Sequence, residues 1–217
     1  MPPAKIDFRD PQGKVEEVDA VSNPEDASAG TRKVAFSREL HIEREDFMED
    51  PPKKFFRLSP GRAVRLRCAY IVTCTGVTKN DAGEITEIHC EYHPASLEEN
   101  YTGGPKAKAT LHWVSVSHAA KAEVRLYDRL FSVENPNDEK DGVEFTGYLN
   151  PDSLKILRGC RVEAGLSDVK AGSCYQFERM GYFCVDPDST PETPVFNRTV
   201  TLRDAWAKIN TNNWKSD

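Results

Sequence analysis

Short runs in which apolar and polar residues alternate recur along this 217-residue chain, and turn-forming residues separate them. A period of two places successive side chains on opposite faces of a β-strand. No apolar period typical of a helix persists beyond about two turns. The pattern therefore predicts an all-β fold, built as a sandwich or a pair of barrels, with short helical turns.

The clearest alternating run is VRLRCAYIV, which begins at Val64 and predicts a strand continuing to Thr75. Arg65 and Arg67 would stand together on one face of that strand. The opposite face would carry the apolar or weakly polar members of the run: Val64, Leu66, Cys68, Tyr70 and Val72.

Five further segments carry secondary-structure predictions. Residues 80–83 (NDAG) predict a hairpin turn with glycine available for a positive φ, and residues 85–92 predict the returning strand. Residues 106–114 alternate again, with lysines on the polar side and Trp113 on the apolar side. Residues 174–185 predict a late strand interrupted by a glycine, and residues 203–209 a final helical turn.

Positive charge is concentrated in residues 53–67 (KKFFRLSPGRAVRLR), which we call the basic stretch. It carries six lysines or arginines and no acid, although the formal net charge of the chain is -6. Arginines held side by side on a strand can bind phosphates or base edges. The alternative is a solvated strand face whose charges discourage edge pairing. The acidic balance argues against indiscriminate nucleic-acid binding but allows a partner that needs one basic patch.

No catalytic motif is recognisable in the chain. It has no Walker loop, no G-x-G-x-x-G and no G-x-S-x-G. His89, Cys90 and His93 are close together, but they do not supply a full ligand set, so no metal site is predicted. No apolar run approaches the ~20 residues that span a bilayer, and residues near the start lack a signal-peptide core. The six cysteines are therefore expected to be reduced thiols in the cytoplasm.

Several longer strings occur in a fixed order: FSRELHIEREDFMEDPPKKFFRLSPGRAVRLR, HWVS, AEVRLYDRLFSVENP, LNPDSL, YQFERMGYFCVDPDST and PVFNRTVTLRDAWAK. Together they resemble the C-terminal anticodon-binding region of the glutaminyl-tRNA synthetase family. The likeness extends from about residue 10 to Ile209. Because it covers most of the chain in the family's order, it is far more specific than a single motif.

The resemblance implies two β-barrels like those of the ribosomal protein L25 group, one inserted within the other. The proximal anticodon-binding barrel would comprise residues 1–44 and 130–209, and the distal barrel residues 45–129. Residues 210–217 would form a loose polar tail.

The resemblance also implies a function, the recognition of the tRNA(Gln) anticodon within glutamine–tRNA ligase, a class I synthetase that uses ATP. The HIGH-type and KMSKS-type motifs of the family's catalytic half do not occur here. The chain alone is therefore expected to be inactive and to bind no cofactor, since ATP and glutamine would bind the catalytic half. The expected partners are the tRNA(Gln) anticodon loop and that catalytic half. A cytoplasmic monomer that binds neither membrane nor DNA is expected.

Site residues follow from the family's motifs. Arg57 would read the third anticodon base and Arg65 the first, with Arg67 beside it on the RNA backbone. Gln176 and Arg179, in the string QFER, would contact the middle base. The family places a further arginine for that base before this region, and the chain does not include it. Supporting backbone contacts are expected from the other cations of the basic stretch: Lys53, Lys54 and Arg62.

The physical chemistry of RNA agrees with this assignment. Sequence is read best in single-stranded loops, whose bases can be splayed out, stacked and hydrogen-bonded on their edges. From spacing alone, however, Gln176 is more simply interpreted as an ordinary exposed strand residue. Strand parity would also place Arg179 on the same face as Tyr175 and Phe177, unless a bulge near Gly181 intervenes. The alternatives are a stand-alone L25-like protein that binds ribosomal RNA, a protein–protein module, and an enzyme without recognisable motifs.

Overall fold

The chain is described by a computed structural model, which covers residues 4–8 as backbone and residues 15–98, 101–137 and 142–202 in full. These residues form β-strands and short 3-10 helices, so the all-β prediction is confirmed. They divide into two compact units. Unit 1 comprises Met1–Ala120 with Arg161–Gly165, and unit 2 comprises Lys121–Cys160 with Leu166–Asp217.

Nine strands belong to the described part of unit 1. They are β1 (Ala4–Phe8), β2 (Glu16–Val21), β3 (Thr31–Phe36), β4 (Glu39–Ile42), β5 (Ala63–Leu66), β6 (Ile71–Lys79), β7 (Ile85–His93), β8 (Thr110–Leu111) and β9 (Trp113–Ser115). β2 and β3 form a separate antiparallel ribbon. The other seven form one sheet in the order β8-β5-β6-β7-β1-β4-β9. In that sheet β1 runs parallel to β7 and β8 runs parallel to β5.

Unit 2 is built on a five-stranded sheet in the order β11-β10-β14-β13-β12. Its strands are β10 (Ala120–Tyr127), β11 (Leu154–Val162), β12 (Cys174–Phe177), β13 (Gly181–Val185) and β14 (Val195–Val200). The 3-10 helices of the two units are Ala27–Ala29, Arg44–Asp46, Pro94–Leu97, Phe145–Tyr148 and Ala164–Leu166. In the described ranges the chain has no helix long and apolar enough to cross a membrane.

The core of unit 1 is centred on Phe36, which lies at the end of β3. Its ring contacts Tyr70, Trp113 and Tyr92 with centroids 5.0, 5.4 and 6.0 Å apart. Tilted and edge-to-face arrangements such as these add to the free energy gained by burial. Fully buried aliphatic residues from the sheet surround the aromatic group: Leu40, Val64, Leu66, Val72, Ile88 and Leu111.

The core of unit 2 is a smaller cluster on β12, β13 and β14. Phe177 stacks on Phe183 with the ring centroids 4.5 Å apart and contacts Phe196 at 5.2 Å. Phe183 and Phe196 are almost completely buried. Since Phe177 faces this core, the residues on either side of it along β12 face away.

The predicted domain boundaries differ from the two compact units. β4 lies before residue 45, yet it pairs with β9, which lies within the predicted distal barrel. The pairing of distant strands cannot be read from alternation, which fixes only the face on which each side chain lies. In both large sheets the described strands pair in an open order. The insertion of one barrel within another stays a prediction, and the predicted helical turn at 203–209 and the tail at 210–217 lie outside the described residues.

Candidate nucleic-acid interface

The second half of the basic stretch contains β5, which is the first strand of a hairpin and does not continue as one long strand. β5 ends at Leu66 and β6 begins at Ile71, and Ala63, Val64 and Arg65 pair with residues 71–73 of β6. The chain reverses at Cys68, which has a φ of 56°. The prediction of a single strand to Thr75 is therefore wrong, because a left-handed residue cannot continue a strand.

The predicted separation of faces on β5 is confirmed. Val64 and Leu66 are fully buried, whereas Arg65 is half-buried and Arg67 is exposed. Their positions are fixed by the neighbouring segment, since the backbone N–H of Arg65 donates to Ala109 O and that of Arg67 to Leu111 O, both at 2.9 Å. Trp113 Nε1 also donates to Arg67 O at 2.9 Å. The backbone beneath both arginines is thus held by well-formed hydrogen bonds.

The side chain of Arg65 is anchored at one end. Its Nη1 donates to Ala69 O and to Ser96 O, each at 3.1 Å. A guanidinium group has five N–H groups, and these two bonds use only those on Nη1. Arg65 therefore braces the β5–β6 turn against the 3-10 helix Pro94–Leu97, and its remaining N–H groups are held in a fixed orientation.

Two exposed lysines lie just before β8, the strand that pairs with β5. Thr110 is the register partner of Arg65 on β8, and residues 106–112 keep the predicted alternation. Lys106 and Lys108 are exposed, and Leu111 on the other side is fully buried. These two lysines are not among the predicted site residues. Their alternation was visible, but the pairing of β8 with β5, which places Lys108 two residues before the register partner of Arg65, was not.

The first half of the basic stretch places its cations in two environments. Lys53 and Lys54 are exposed in a turn, and Phe55 N donates to Pro52 O at 2.9 Å there. Phe55 is buried, whereas Phe56 is 49% exposed and has Lys108 Nζ 5.8 Å from its ring centroid. We call Arg65, Arg67, Lys106, Lys108 and Phe56 the basic face of unit 1.

Arg57 and Arg62 are turned toward the protein. Arg57 Nη1 lies 3.4 Å from Asp46 Oδ1 and donates to Glu45 O at 3.3 Å, and 15% of its side chain is exposed. Asp46 is almost completely buried. Arg62 donates through Nη1 to Phe55 O. Both arginines therefore have a structural role. Each could contact RNA only through the part of its side chain that remains exposed.

Unit 2 displays the other two predicted residues on the β12–β13 hairpin. Gln176 is exposed and its register partner is Tyr182, which is 43% exposed. Arg179 lies in the turn, with a φ of 64°, and Met180 N donates to Phe177 O across it at 2.9 Å. Since Arg179 follows the end of β12, strand parity does not place it with the aromatic residues.

A disulfide joins the two strands of this hairpin. Cys174 and Cys184 are register partners on β12 and β13, and their sulfur atoms are bonded. Cys174 lies two residues before Gln176, so both lie on the same face of β12. The expectation of six reduced thiols is wrong for this pair. Cys68, Cys74, Cys90 and Cys160 are free thiols.

The described residues contain no group of three histidine, cysteine, aspartate or glutamate side chains that could hold a metal ion. What they offer is an exposed set of lysines and arginines with one aromatic ring in unit 1, and an amide, a tyrosine and an arginine on a hairpin in unit 2. Such groups can contact phosphates, stack on bases and hydrogen-bond to base edges.

Two family models match the chain, and both carry the description of an anticodon-binding domain of class I tRNA synthetases (E and Q). One matches residues 1–93 and the other residues 110–186. They follow each other along the chain without overlap. Phe56, Arg65 and Arg67 of the basic face lie in the first matched range, and the β12–β13 hairpin lies in the second. Lys106 and Lys108 lie between the two ranges.

The chain is also similar to curated proteins named glutamine–tRNA ligase. It is 55% identical over 199 residues to the one from Nitrobacter winogradskyi, with 92% of this chain and 35% of the relative covered. The relative from Rhodopirellula baltica is 53% identical, with 92% and 33% covered. The relative from Proteus mirabilis is 50% identical, with 92% and 35% covered. The chain therefore spans about a third of the length of these relatives.

Proposed function

Since the chain belongs to the anticodon-binding domains of the class I glutamyl- and glutaminyl-tRNA synthetases, we propose that it reads the tRNA(Gln) anticodon as part of a glutamine–tRNA ligase. The observation that carries this proposal is the basic face of unit 1, set in a chain that matches two anticodon-binding models in order. The relatives named glutamine–tRNA ligase favour glutamine over glutamate as the amino acid.

Recognition would use the exposed side chains of each unit, which would contact anticodon bases that are splayed out of the loop. Arg65 would offer its outward N–H groups to the first base, with Arg67 and Lys108 on the phosphates around it. Gln176 would contact the middle base, because its amide supplies both a donor and an acceptor. Arg179 would approach from the adjoining turn. Glutamine anticodons share U in the middle and G at the third position, so few contacts must carry the choice.

The third base is the least direct assignment. Arg57 is paired with Asp46, so only the exposed part of its guanidinium can approach RNA. We therefore assign Arg57 the third base through a guanidinium that Asp46 orients. Lys53, Lys54 and Arg62 are proposed to support the backbone, the two lysines by direct contact and Arg62 by holding the loop at Phe55.

Binding of a tRNA(Gln) anticodon stem-loop to this chain tests the proposal. We expect tighter binding to that stem-loop than to the same stem-loop with its middle U changed to C, and than to a 5S ribosomal RNA fragment. Affinity should fall as salt rises, by a log–log slope of ~0.7 for each phosphate contacted. Equal affinity for all three RNAs would contradict anticodon reading, and preference for the ribosomal fragment would favour the L25-like alternative.

The same proposal places catalysis elsewhere. ATP and glutamine would bind the catalytic half of the ligase, so the chain alone should give no ATP–pyrophosphate exchange above background in the presence of glutamine. Exchange by the pure chain would contradict this. We also propose a cytoplasmic monomer that binds tRNA without binding duplex DNA or membranes, which sedimentation and competition with duplex DNA would test.

A further inference from the structure

One aromatic ring of the basic face is unusually placed. The loop at residues 52–58 buries Phe55 to 4% exposure and Leu58 completely, yet it leaves Phe56 49% exposed. The loop therefore packs Phe55 and Leu58 into the core but leaves the ring of Phe56 outside it. A single exposed apolar residue is common on protein surfaces and needs no explanation by itself. The surroundings of Phe56 are what distinguish it.

Cations flank Phe56 in the sequence, and one cation lies beside its ring in space. Lys53, Lys54 and Arg57 flank Phe56 in the sequence. In space, Lys108 Nζ lies 5.8 Å from the ring centroid, within the range of a cation–π contact. Lys108 precedes by two residues Thr110, the register partner of Arg65. The ring thus adjoins the same face that carries the arginines.

A flat ring beside cations is the combination with which proteins bind single-stranded nucleic acid. Every base has an aromatic face, so stacking on a side chain adds affinity without selecting a particular base. The cations meanwhile follow the phosphates. The ammonium of Lys108 next to the ring is suitably placed for the phosphate of a nucleotide whose base lies on the ring.

We propose that Phe56 is a stacking platform for one unpaired base of the bound RNA loop, and that Lys108 pairs with the phosphate of that nucleotide. This inference rests on the proposed anticodon recognition and adds a contact that the arginines do not supply. The arginines read base identity, and Phe56 fixes the conformation of the loop. Its contribution is therefore the same whichever base occupies the platform.

A thermodynamic cycle between protein and RNA variants tests the platform. Stem-loops of tRNA(Gln) that carry an abasic nucleotide at each unpaired position in turn are titrated against the unaltered chain and against Phe56→Leu. We expect Phe56→Leu to weaken binding of the intact loop about 5- to 100-fold. At one position the abasic change should cost the unaltered chain a similar factor and cost Phe56→Leu almost nothing further.

Matched variants separate stacking from other effects. Phe56→Trp should bind the intact loop within about twofold of the unaltered chain, because it restores a flat ring. Lys108→Ala should reduce the salt slope by ~0.7. Phe145 is 54% exposed on unit 2 and serves as the control, and Phe145→Leu should leave affinity unchanged. Thermal unfolding of each variant should match that of the unaltered chain, since these side chains are exposed.

The outcomes are distinguishable. If Phe56→Leu binds as tightly as the unaltered chain while Arg67→Ala binds more weakly, the platform is overturned and anticodon binding stands. Loss of affinity in Phe56→Leu without a coupled abasic position also overturns it. If the unaltered chain does not bind the stem-loop at all, anticodon recognition fails, and the platform fails with it.

Discussion

At the scale of single residues, the arginines of the basic stretch differ in how far they are buried. Arg57 is paired with Asp46, Arg65 donates to two backbone carbonyls, and Arg67 is exposed. Replacing each by alanine therefore removes different interactions. A loss of RNA affinity is informative only when it is read beside the change in the free energy of unfolding.

Arg67→Ala and Arg65→Ala form one such comparison. We expect Arg67→Ala to leave the free energy of unfolding within about 0.5 kcal/mol, because surface substitutions usually do. Its log–log salt slope for stem-loop binding should fall by ~0.7. Arg65→Ala should weaken binding too, and should also destabilise the chain by about 1–3 kcal/mol, since two carbonyls lose a charged donor. Denaturant titration and binding isotherms measure both. Equal stability of the two variants would contradict the bracing role of Arg65.

Arg57→Ala should mainly affect stability. It leaves the carboxylate of Asp46, which is only 1% exposed, without the guanidinium beside it. Removing one partner of a buried ion pair costs about 3–5 kcal/mol, most of it from the stranded charge.

The double variant Arg57→Ala, Asp46→Asn provides the control, because it removes that charge as well. Its free energy of unfolding should recover part of the loss, whereas its affinity for the stem-loop should stay low. If the double variant is as unstable as Arg57→Ala, the cost does not arise from the Asp46 charge.

At the scale of elements, the β12–β13 hairpin is the clearest case of a recognition surface built on a rigid support. Phe177 anchors its inner face on Phe183, and Gln176 and Tyr182 occupy its outer face. The Cys174–Cys184 bond closes the hairpin on that same outer face. Core-facing Phe177 and outward-facing Gln176 are neighbours on β12, because successive side chains of a strand lie on opposite faces.

Reduction of that disulfide should loosen the hairpin. The bond closes a segment with a sequence separation of 10, for which the loss of unfolded-state entropy corresponds to about 2–3 kcal/mol. Thermal unfolding with and without a thiol reductant measures the effect. The variant Cys174→Ser, Cys184→Ser is the control and should show no response to the reductant. An unchanged melting temperature of the unaltered chain on reduction would contradict this prediction. Without the disulfide the hairpin would be held by its backbone pairing, including that of β13 with β14, and by its aromatic contacts.

Turns were predictable where their residue types were informative. Residues 80–83 form the expected hairpin turn, in which Gly83 has a φ of 79° and Asn80 Oδ1 accepts from the N–H groups of Ala82 and Glu84. The turns at Cys68 and Arg179 were not predictable. Neither residue favours a positive φ. Alternation continued through Cys68, and the break in alternation at Arg179 did not by itself identify a turn. Their conformations are imposed by the strands that the turns connect.

At the scale of the whole molecule, the sequence predicted fold class and surface faces better than connectivity. Alternation placed Leu66 inside and Arg67 outside, and both placements are confirmed. It could not show that β1 pairs with β4 and β7, or that β8 pairs with β5. Such pairings join segments far apart in sequence, so they depend on tertiary packing. Because such pairings could not be predicted, Lys106 and Lys108 were not included in the predicted site.

One long-range connection depends on pH. Glu163 belongs to unit 1 although it follows β11 in the chain. Arg32 donates to its carboxylate through Nε and Nη2 at 2.6 and 2.8 Å, and His112 Nε2 lies 3.7 Å from it. Burial raises the pKa of Glu163, but Arg32 and His112 outweigh burial and lower the pKa to about 2. The ion pair between Arg32 and Glu163 therefore holds residues 161–165 to the rest of unit 1 while the carboxyl of Glu163 is ionised.

The effect of pH on stability follows from the direction of that shift. The folded chain holds the proton less tightly than the unfolded chain, whose glutamate pKa is about 4.3. The ion pair's contribution, about 2–3 kcal/mol, is complete above that value and is lost as the pH falls toward about 2. Glu163→Gln should therefore be less stable than the unaltered chain at pH 7, with the difference vanishing near pH 2. Urea titrations across this range measure the difference directly, and Glu134→Gln, at an exposed position of unit 2, is the control. A difference that is constant with pH would show that Glu163 acts through packing and not through its charge.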